Sequence, residues 1–161
     1  IVTGSTARAE YCGWQPGYFR RMSAVQAAAG LCELRRLEAV LSHRRRIVEY
    51  YLKALREAGW PMPPNPPGAD VSLLRVPVRV ANKDEALRAA EKHWVELGDW
   101  FVRPLHSHLA PQEPYGYTTG MCPNADRAAR EIINLPTHPR VSLRHAERVI
   151  QFLKERCRPA T

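Results

Sequence analysis

The stretch GYFRRMSAVQAAAGL, residues 17–31, combines two glycines, two arginines and a run of small side chains, and it decides where the first helix begins. Ser23 is followed three residues later by Gln26, the spacing of a capping box, in which each side chain bonds a backbone N–H group of the other residue. Small residues on a helix allow another backbone segment to come close. Here they are Ala24, Ala27, Ala28 and Gly30. We therefore predict a helix that begins at Ser23 and presents a face of small residues.

Apolar residues continue at helical spacing to Ala58, where Gly59 and a proline-rich linker end the helix. Residues 71–82 alternate as a strand does, and Pro77 indicates an edge position or a bulge. The inward face of this strand is predicted to carry Leu74, Val76, Val78 and Val80.

The second half of the chain predicts further short elements. A helix is expected at 83–98, a strand at 99–103, a long loop at 104–124, a helix at 125–133 and a last helix capped by Ser142. The apolar face of the first of these helices is predicted to consist of Leu87, Ala90, Trp94 and Leu97. This order predicts the α/β (α+β) class, with a small, mostly antiparallel sheet covered by helices.

Composition is that of a globular protein, with 45% hydrophobic and 25% charged residues among 161. No apolar run is long enough for a membrane span, and no signal peptide is visible at the start. The chain begins with Ile1 rather than methionine, which suggests a processed or excised piece. The four cysteines show no short repeated spacing, so we expect neither a zinc site nor a disulfide framework but reduced thiols in the cytoplasm. They are Cys12, Cys32, Cys122 and Cys157.

The net charge of +8 comes from twenty arginines and four lysines on the basic side. Arg44, Arg45 and Arg46 are consecutive, so on a helix they fan around the axis instead of forming one stripe. Glu49 is placed to pair with Arg45. No nucleic-acid-binding motif accompanies them, which favours solvated helix faces over a nucleic-acid partner.

Three segments together resemble the C-terminal part of the DegT/DnrJ/StrS family, the sugar-aminotransferase branch of the aspartate-aminotransferase fold. The first, GYFRRMSAVQAAAGLCELRRLE at 17–38, is similar to the family's G-Y-N-x-R-M segment and the helix after it. The second is PLH at 104–106. The third, INLPTHPRVSLRHAERVIQFL at 133–153, resembles the family's L-P-x-H-P turn and last helix. Their order and spacing also agree with the family.

The resemblance implies that a large domain, whose lysine forms a Schiff base with pyridoxal 5'-phosphate, lies upstream and is absent from this chain. On this basis residues 1–22 come from that large domain, 23–58 form an interdomain and interface helix, and 59–161 form the small domain. No catalytic residue is then expected here, since the four lysines have ordinary surface positions in or beside predicted helices. They are Lys53, Lys83, Lys92 and Lys154.

The resemblance also implies that the first helix begins near the cofactor phosphate of a partner subunit, with Arg20 and Arg21 as cofactor-binding residues. A helix N-terminus with free N–H groups and nearby arginines is suited to an anion. The alternative is a core-facing alanine stripe beside two solvated arginines. Phe19 stands where the family has asparagine, and a phenyl ring cannot hydrogen-bond a phosphate.

Within the same resemblance the loop beginning at PLH borders the active site, which suggests Arg103, His106, His108 and Tyr115 as substrate-binding residues. Two other interpretations remain for this loop. The His-x-His spacing suits a metal but lacks a further ligand nearby, so no metal site is predicted. His106 could instead brace the loop, as we expect His138 to brace its own turn.

The resemblance therefore predicts part of a pyridoxal-phosphate-dependent aminotransferase that acts on nucleotide-linked keto-sugars in polysaccharide or antibiotic-sugar biosynthesis. Its amino donor would be one such as glutamate, and the parent protein would be a homodimer. We expect the chain alone to be inactive and to expose apolar surface along its first helix. The alternative is a non-catalytic binding or assembly module that retains the fold.

Overall fold

The structure is a computed structural model that describes residues 21–62, 67–68, 73–99, 102–105 and 116–160. Five helices and two strands follow one another within these residues. Their order is α1 (Ala24–Arg35), α2 (Leu37–Glu57), β1 (Arg75–Arg79), α3 (Lys83–Lys92), α4 (Pro123–Glu131), β2 (Ile132–Pro136) and α5 (Leu143–Arg156). The mixed α and β class and the small antiparallel sheet predicted from the sequence are confirmed.

The sheet consists of β1 and β2, which pair antiparallel. Val76 lies opposite Leu135 and Val78 lies opposite Ile133, and all four side chains are buried. Alternation along each strand therefore places one face of the sheet in the core. Asn134, the register partner of Pro77, exchanges its backbone hydrogen bonds with Gly98 on the other side of β2, so the missing N–H of Pro77 removes no bond between the two strands.

The core is closed by α2 and α5, whose apolar sides pack together with the buried face of the sheet. Ile47, Tyr51 and Leu55 of α2 are at most 2% exposed. The buried side chains of α5 are Ala146, Val149, Ile150, Phe152 and Leu153. These positions recur at the three- and four-residue spacing of an amphipathic helix.

A side-chain cluster fastens α2 to the end of the sheet. Nη1 of Arg44 donates to the carbonyl oxygen of Leu74 at 3.0 Å and to Oγ1 of Thr137 at 2.8 Å. The Thr137 hydroxyl donates in turn to the Leu74 carbonyl at 2.6 Å. Arg44 is thus half-buried and bonded to the sheet, so the prediction of a solvated helix face is wrong for this residue.

The helix predicted from Ser23 to Ala58 is two helices that meet at Arg36. Its predicted start is confirmed, because the Ser23 hydroxyl accepts from the Gln26 N–H and the Gln26 side chain accepts from the Ser23 N–H. Ser142 caps α5 by the same arrangement, with His145 in the reciprocal position.

The helix predicted at 83–98 ends at Lys92, so its predicted length is wrong. The N–H of Val95 bonds the Ala90 carbonyl and the N–H of Trp94 bonds the Glu91 carbonyl, which is a Schellman motif. Trp94 holds the left-handed position of this motif, with φ of 55°, and is 80% exposed. It therefore does not belong to the apolar face predicted for this helix.

Three other boundaries differ from prediction. Val102 and Arg103 lie in a bend instead of a strand, and the residues at 100 and 101 lie outside the described part. Leu74 is 60% exposed and precedes β1, so it is not an inward-facing residue. α4 ends at Glu131, where β2 begins at once.

In the described part of the chain no helix combines the length and the apolar character needed to cross a membrane.

Candidate functional site

The N-terminus of α1 is accessible and carries positive charge. Arg21 is exposed and lies two residues before the cap Ser23, and the first turn contains no acidic residue. Within the described residues, the N–H groups of Ala24 and Val25 have no acceptor. This end of the helix can therefore accept an anion. Arg20 and Phe19 lie outside the described residues.

No residue of α1 is buried against the rest of the described chain. Val25 is 80% exposed, Leu31 59% and Leu34 62%. The described residues therefore form no core against α1, and the alternative of a core-facing alanine stripe is not found among them. A helix of this length is only marginally stable in water unless it packs against other residues, so the exposed apolar side of α1 has the properties of a protein interface.

Of the residues predicted to bind substrate, only Arg103 lies in the described part. It is exposed in the bend at 102–105. His106, His108 and Tyr115 lie outside the described residues, so their spatial relation to Arg103 stays a prediction. The described residues contain no group of three potential metal ligands.

The far end of the predicted loop is anchored to the first turn of α4. Asp126 is 7% exposed, and its Oδ2 accepts a hydrogen bond from the Gly120 N–H at 2.8 Å. Tyr117 is 8% exposed, and its hydroxyl makes no hydrogen bond of ordinary geometry within the described residues. Burial and the nearby Asp126 carboxylate raise the pKa of Tyr117. Tyr117 is therefore protonated at neutral pH, a polar group held in place beside a carboxylate.

The lysines differ from expectation at one position. Lys83 is 6% exposed and not a surface residue, and its Nζ contacts Oδ1 of Asp99 at 2.6 Å and the Ala129 carbonyl at 2.7 Å. The other three lysines are exposed, as predicted. The Lys83 ammonium is therefore occupied by these two partners.

His138 braces its turn, as predicted. Its Nδ1 accepts from the Arg140 N–H at 3.3 Å, its carbonyl accepts from the Val141 N–H, and Nε2 lies 3.0 Å from Glu96. The LPTHP turn of the third family-like segment thus joins β2 to the cap of α5.

Comparisons with known proteins agree with this fold. The profile of the DegT/DnrJ/EryC1/StrS aminotransferase family matches residues 2–154. Protein Rv3402c of Mycobacterium tuberculosis is 28% identical over 149 residues, which are 88% of this chain and 35% of that protein. The dTDP-3-amino-3,4,6-trideoxy-alpha-D-glucose transaminase of Micromonospora megalomicea is 27% identical over 145 residues, which are 87% of this chain and 38% of that protein.

A solved structure also shares the fold. The crystal structure of DesV from S. venezuelae, in complex with a ketimine intermediate, superposes with a TM-score of 0.73 at 27% identity. The match covers 84% of this chain and 36% of that one. The chain thus spans little more than a third of the length of the relatives that it matches. Because the family profile covers nearly the whole sequence, the chain belongs to the DegT/DnrJ/EryC1/StrS aminotransferase family.

Proposed function

We propose that this chain is the C-terminal small domain, with its interface helix, of an aminotransferase that uses pyridoxal 5'-phosphate and acts on nucleotide-linked keto-sugars. The observation that carries the proposal is the combination of a family match along residues 2–154 with coverage of little more than a third of the relatives named above. The relative named as a dTDP-amino-sugar transaminase supports the substrate class. In this proposal glutamate is the amino donor, and the parent protein is a cytoplasmic homodimer.

The exposure of α1 supports an interface role for the first part of the segment 23–58, whereas α2 packs in the core with α5 and the sheet. In our proposal residues 1–22 belong to the large domain, 23–58 form the interface helices and 59–161 form the small domain. The apolar side chains of α1 then pack on the large domain or across the dimer. Exposed apolar surface of this kind marks an interface.

The residues present fit the cofactor only in part. The open N-terminus of α1 with Arg21 suits the cofactor phosphate, and Arg20 is proposed to join it. No lysine fits the covalent role, because Lys83 is buried in its own ion pair and the other three are exposed. When bound, the cofactor supplies an electron sink for the exchange of an amino group. We propose that the isolated chain does not catalyse this exchange.

The substrate is proposed to lie against the loop that begins at Arg103. An arginine guanidinium suits the diphosphate of a nucleotide sugar, while His106, His108 and Tyr115 offer hydrogen bonds to sugar hydroxyl groups. The exposure of Arg103 supports this role, since its guanidinium is accessible to a ligand.

The test uses the longest reading frame that contains this chain. With a nucleotide-linked keto-sugar and glutamate, the full protein should form 2-oxoglutarate and an amino sugar, and the isolated chain should form neither. Arg103→Gln should raise KM for the sugar at least tenfold, whereas Arg130→Gln, an exposed arginine on α4, should leave it unchanged. Equal KM values for the two variants would contradict the role of Arg103.

A second experiment addresses the lysines directly. The isolated chain is incubated with pyridoxal phosphate, treated with borohydride and analysed by mass spectrometry, and no specific lysine adduct is expected. A stable adduct on one lysine would contradict the proposal.

The second candidate function is a non-catalytic binding or assembly module. Phe19 at the family's asparagine position favours it, because this change removes a hydrogen-bonding group at the proposed cofactor phosphate. A full-length protein that neither binds the cofactor nor forms an amino sugar would support this alternative.

A further inference from the structure

An open cavity of about 480 Å³ lies between the first half of α2 and the start of α5. Its walls are His43 and Arg46 of α2 and the segment at 139–144, which contains the end of the turn and the first residues of α5. This volume is within the range of ligand pockets in proteins. None of the residues proposed above for cofactor or sugar lines it.

The walls carry three arginines and no acidic residue. Arg46, Arg140 and Arg144 are exposed, and within the described residues no carboxylate lies within salt-bridge distance of any of them. By contrast, Arg79 is paired with Glu131 at the end of the sheet. Three positive charges around one cavity repel one another, and an anion relieves this repulsion. The free energy of binding an anion there is therefore more favourable.

The backbone adds donors to the same cavity. The Ser142 hydroxyl is used in capping the His145 N–H, while the N–H groups of Leu143 and Arg144 have no acceptor within the described residues. α5 has 14 residues and no acidic residue in its first turn, so its dipole favours an anion at this end.

His43 forms part of the wall beside Arg46, with its Nδ1 3.5 Å from Nη2 of the guanidinium. The Nε2 atom of His43 has almost no accessible surface, so it offers no contact to an occupant of the open cavity.

We propose that this cavity binds a diphosphate-type oxyanion through Arg46, Arg140, Arg144 and the N-terminus of α5. Arginine forms paired hydrogen bonds with phosphate oxygens, and three guanidinium groups match the several charges of a diphosphate. Such a group occurs as free pyrophosphate or within a nucleoside diphosphate, and both share the chemistry that this cavity recognises.

The test is a titration of the 161-residue chain with inorganic pyrophosphate, in which binding is measured by isothermal calorimetry. The pocket variant Arg140→Gln/Arg144→Gln should bind at least tenfold more weakly than the unchanged chain. The matched control Arg127→Gln/Arg130→Gln removes the same charge from exposed positions on α4 and should bind within twofold of it. Amide signals of Leu143 and Arg144 should shift on titration of the unchanged chain.

Two results would overturn the proposal: no binding at millimolar pyrophosphate, or equal weakening in both double variants, which would indicate attraction by net charge alone. A parallel titration with a nucleoside diphosphate separates the sources. If the nucleoside diphosphate binds more tightly than pyrophosphate and the pocket variant loses this binding, the cavity is assigned to a nucleotide. If the nucleoside diphosphate binds equally or more weakly, the cavity is assigned to the free anion. The proposal is independent of the aminotransferase assignment, because the isolated chain is tested for binding and not for activity.

Discussion

Nζ of Lys83 lies 2.6 Å from Oδ1 of Asp99 and 2.7 Å from the Ala129 carbonyl oxygen. One buried ammonium group therefore joins the start of α3 to the last turn of α4 and to the segment that follows Gly98. The side chain of Asp99 is 37% exposed, so water can solvate its carboxylate when the ammonium is removed, and the main cost of that loss is the unsatisfied Ala129 carbonyl.

Lys83→Met should lower the free energy of unfolding by about 1 to 2 kcal/mol, since the methionine fills the space but leaves the Ala129 carbonyl without its donor, while water solvates the Asp99 carboxylate. The control is Lys53→Met, because the Lys53 side chain is 76% exposed and lies 4.0 Å from Glu57. It should change stability by no more than about 0.5 kcal/mol. Urea denaturation of both variants measures the difference, and similar midpoints would show that the contacts of the buried Lys83 ammonium do not stabilise the fold.

Trp94→Gly should stabilise the chain by about 0.5 to 1 kcal/mol. A residue with a Cβ atom is strained at the φ of 55° that Trp94 adopts, and its 80% exposed side chain contributes little packing. Glycine removes the strain, although it adds entropy to the unfolded chain.

Trp94→Ala serves as the control in the same thermal denaturation experiment, because it removes the indole but keeps the Cβ atom. The alanine variant should be no more stable than the unchanged chain. If both variants gain equally, the indole and not the backbone is the source of the strain.

Features set by neighbouring residues could be predicted from the sequence. The caps at Ser23 and Ser142 depend on residues three positions away, and both were predicted at the observed place. The strand around Val76 was predicted from alternation. The end of α3 was not, because apolar spacing continues through Leu97 and tryptophan is unusual at the left-handed position of a Schellman motif.

Features set by distant residues could not be predicted. Lys83 has the surroundings of an exposed helix residue in the sequence, and its burial depends on a carbonyl 46 residues away. The cavity at Arg46 and Arg140 also arises only when α2 packs beside the turn before α5. The resemblance to the family supplied the sugar-aminotransferase assignment, whereas no spacing of residues in this chain indicates a substrate.

Alkaline pH should destabilise the fold through Cys157. Burial raises the pKa of this thiol from its ordinary value of 9.0 to about 11. Between these values the unfolded chain loses the proton while the folded chain keeps it, so the free energy of unfolding falls as pH rises. The loss should approach about 2 kcal/mol near pH 11.

The contribution of Cys157 can be separated from that of the buried tyrosines, whose pKa values are also raised. Cys157→Ala should show a smaller fall in stability between pH 9 and pH 11 than the unchanged chain. Iodoacetamide at pH 8 should modify the exposed Cys32 and Cys122 first and reach Cys157 only on unfolding. Equal pH dependence in the variant would remove the thiol as the cause.

The exposed face of α1 should make the isolated chain self-associate. Leu31 and Leu34 are 59% and 62% exposed and bury nothing within the described residues, so their burial between two chains would be favourable. Sedimentation velocity should show a mass that rises with protein concentration. The double variant Leu31→Glu/Leu34→Glu should sediment as a monomer with unchanged stability, because neither side chain contributes to the core.

The control for this variant is Leu74→Glu/Met121→Glu, which adds the same charge at two positions that are each 60% exposed outside α1. It should associate as the unchanged chain does. A monomeric unchanged chain at every concentration, or equal loss of association in both double variants, would show that α1 is not an interface.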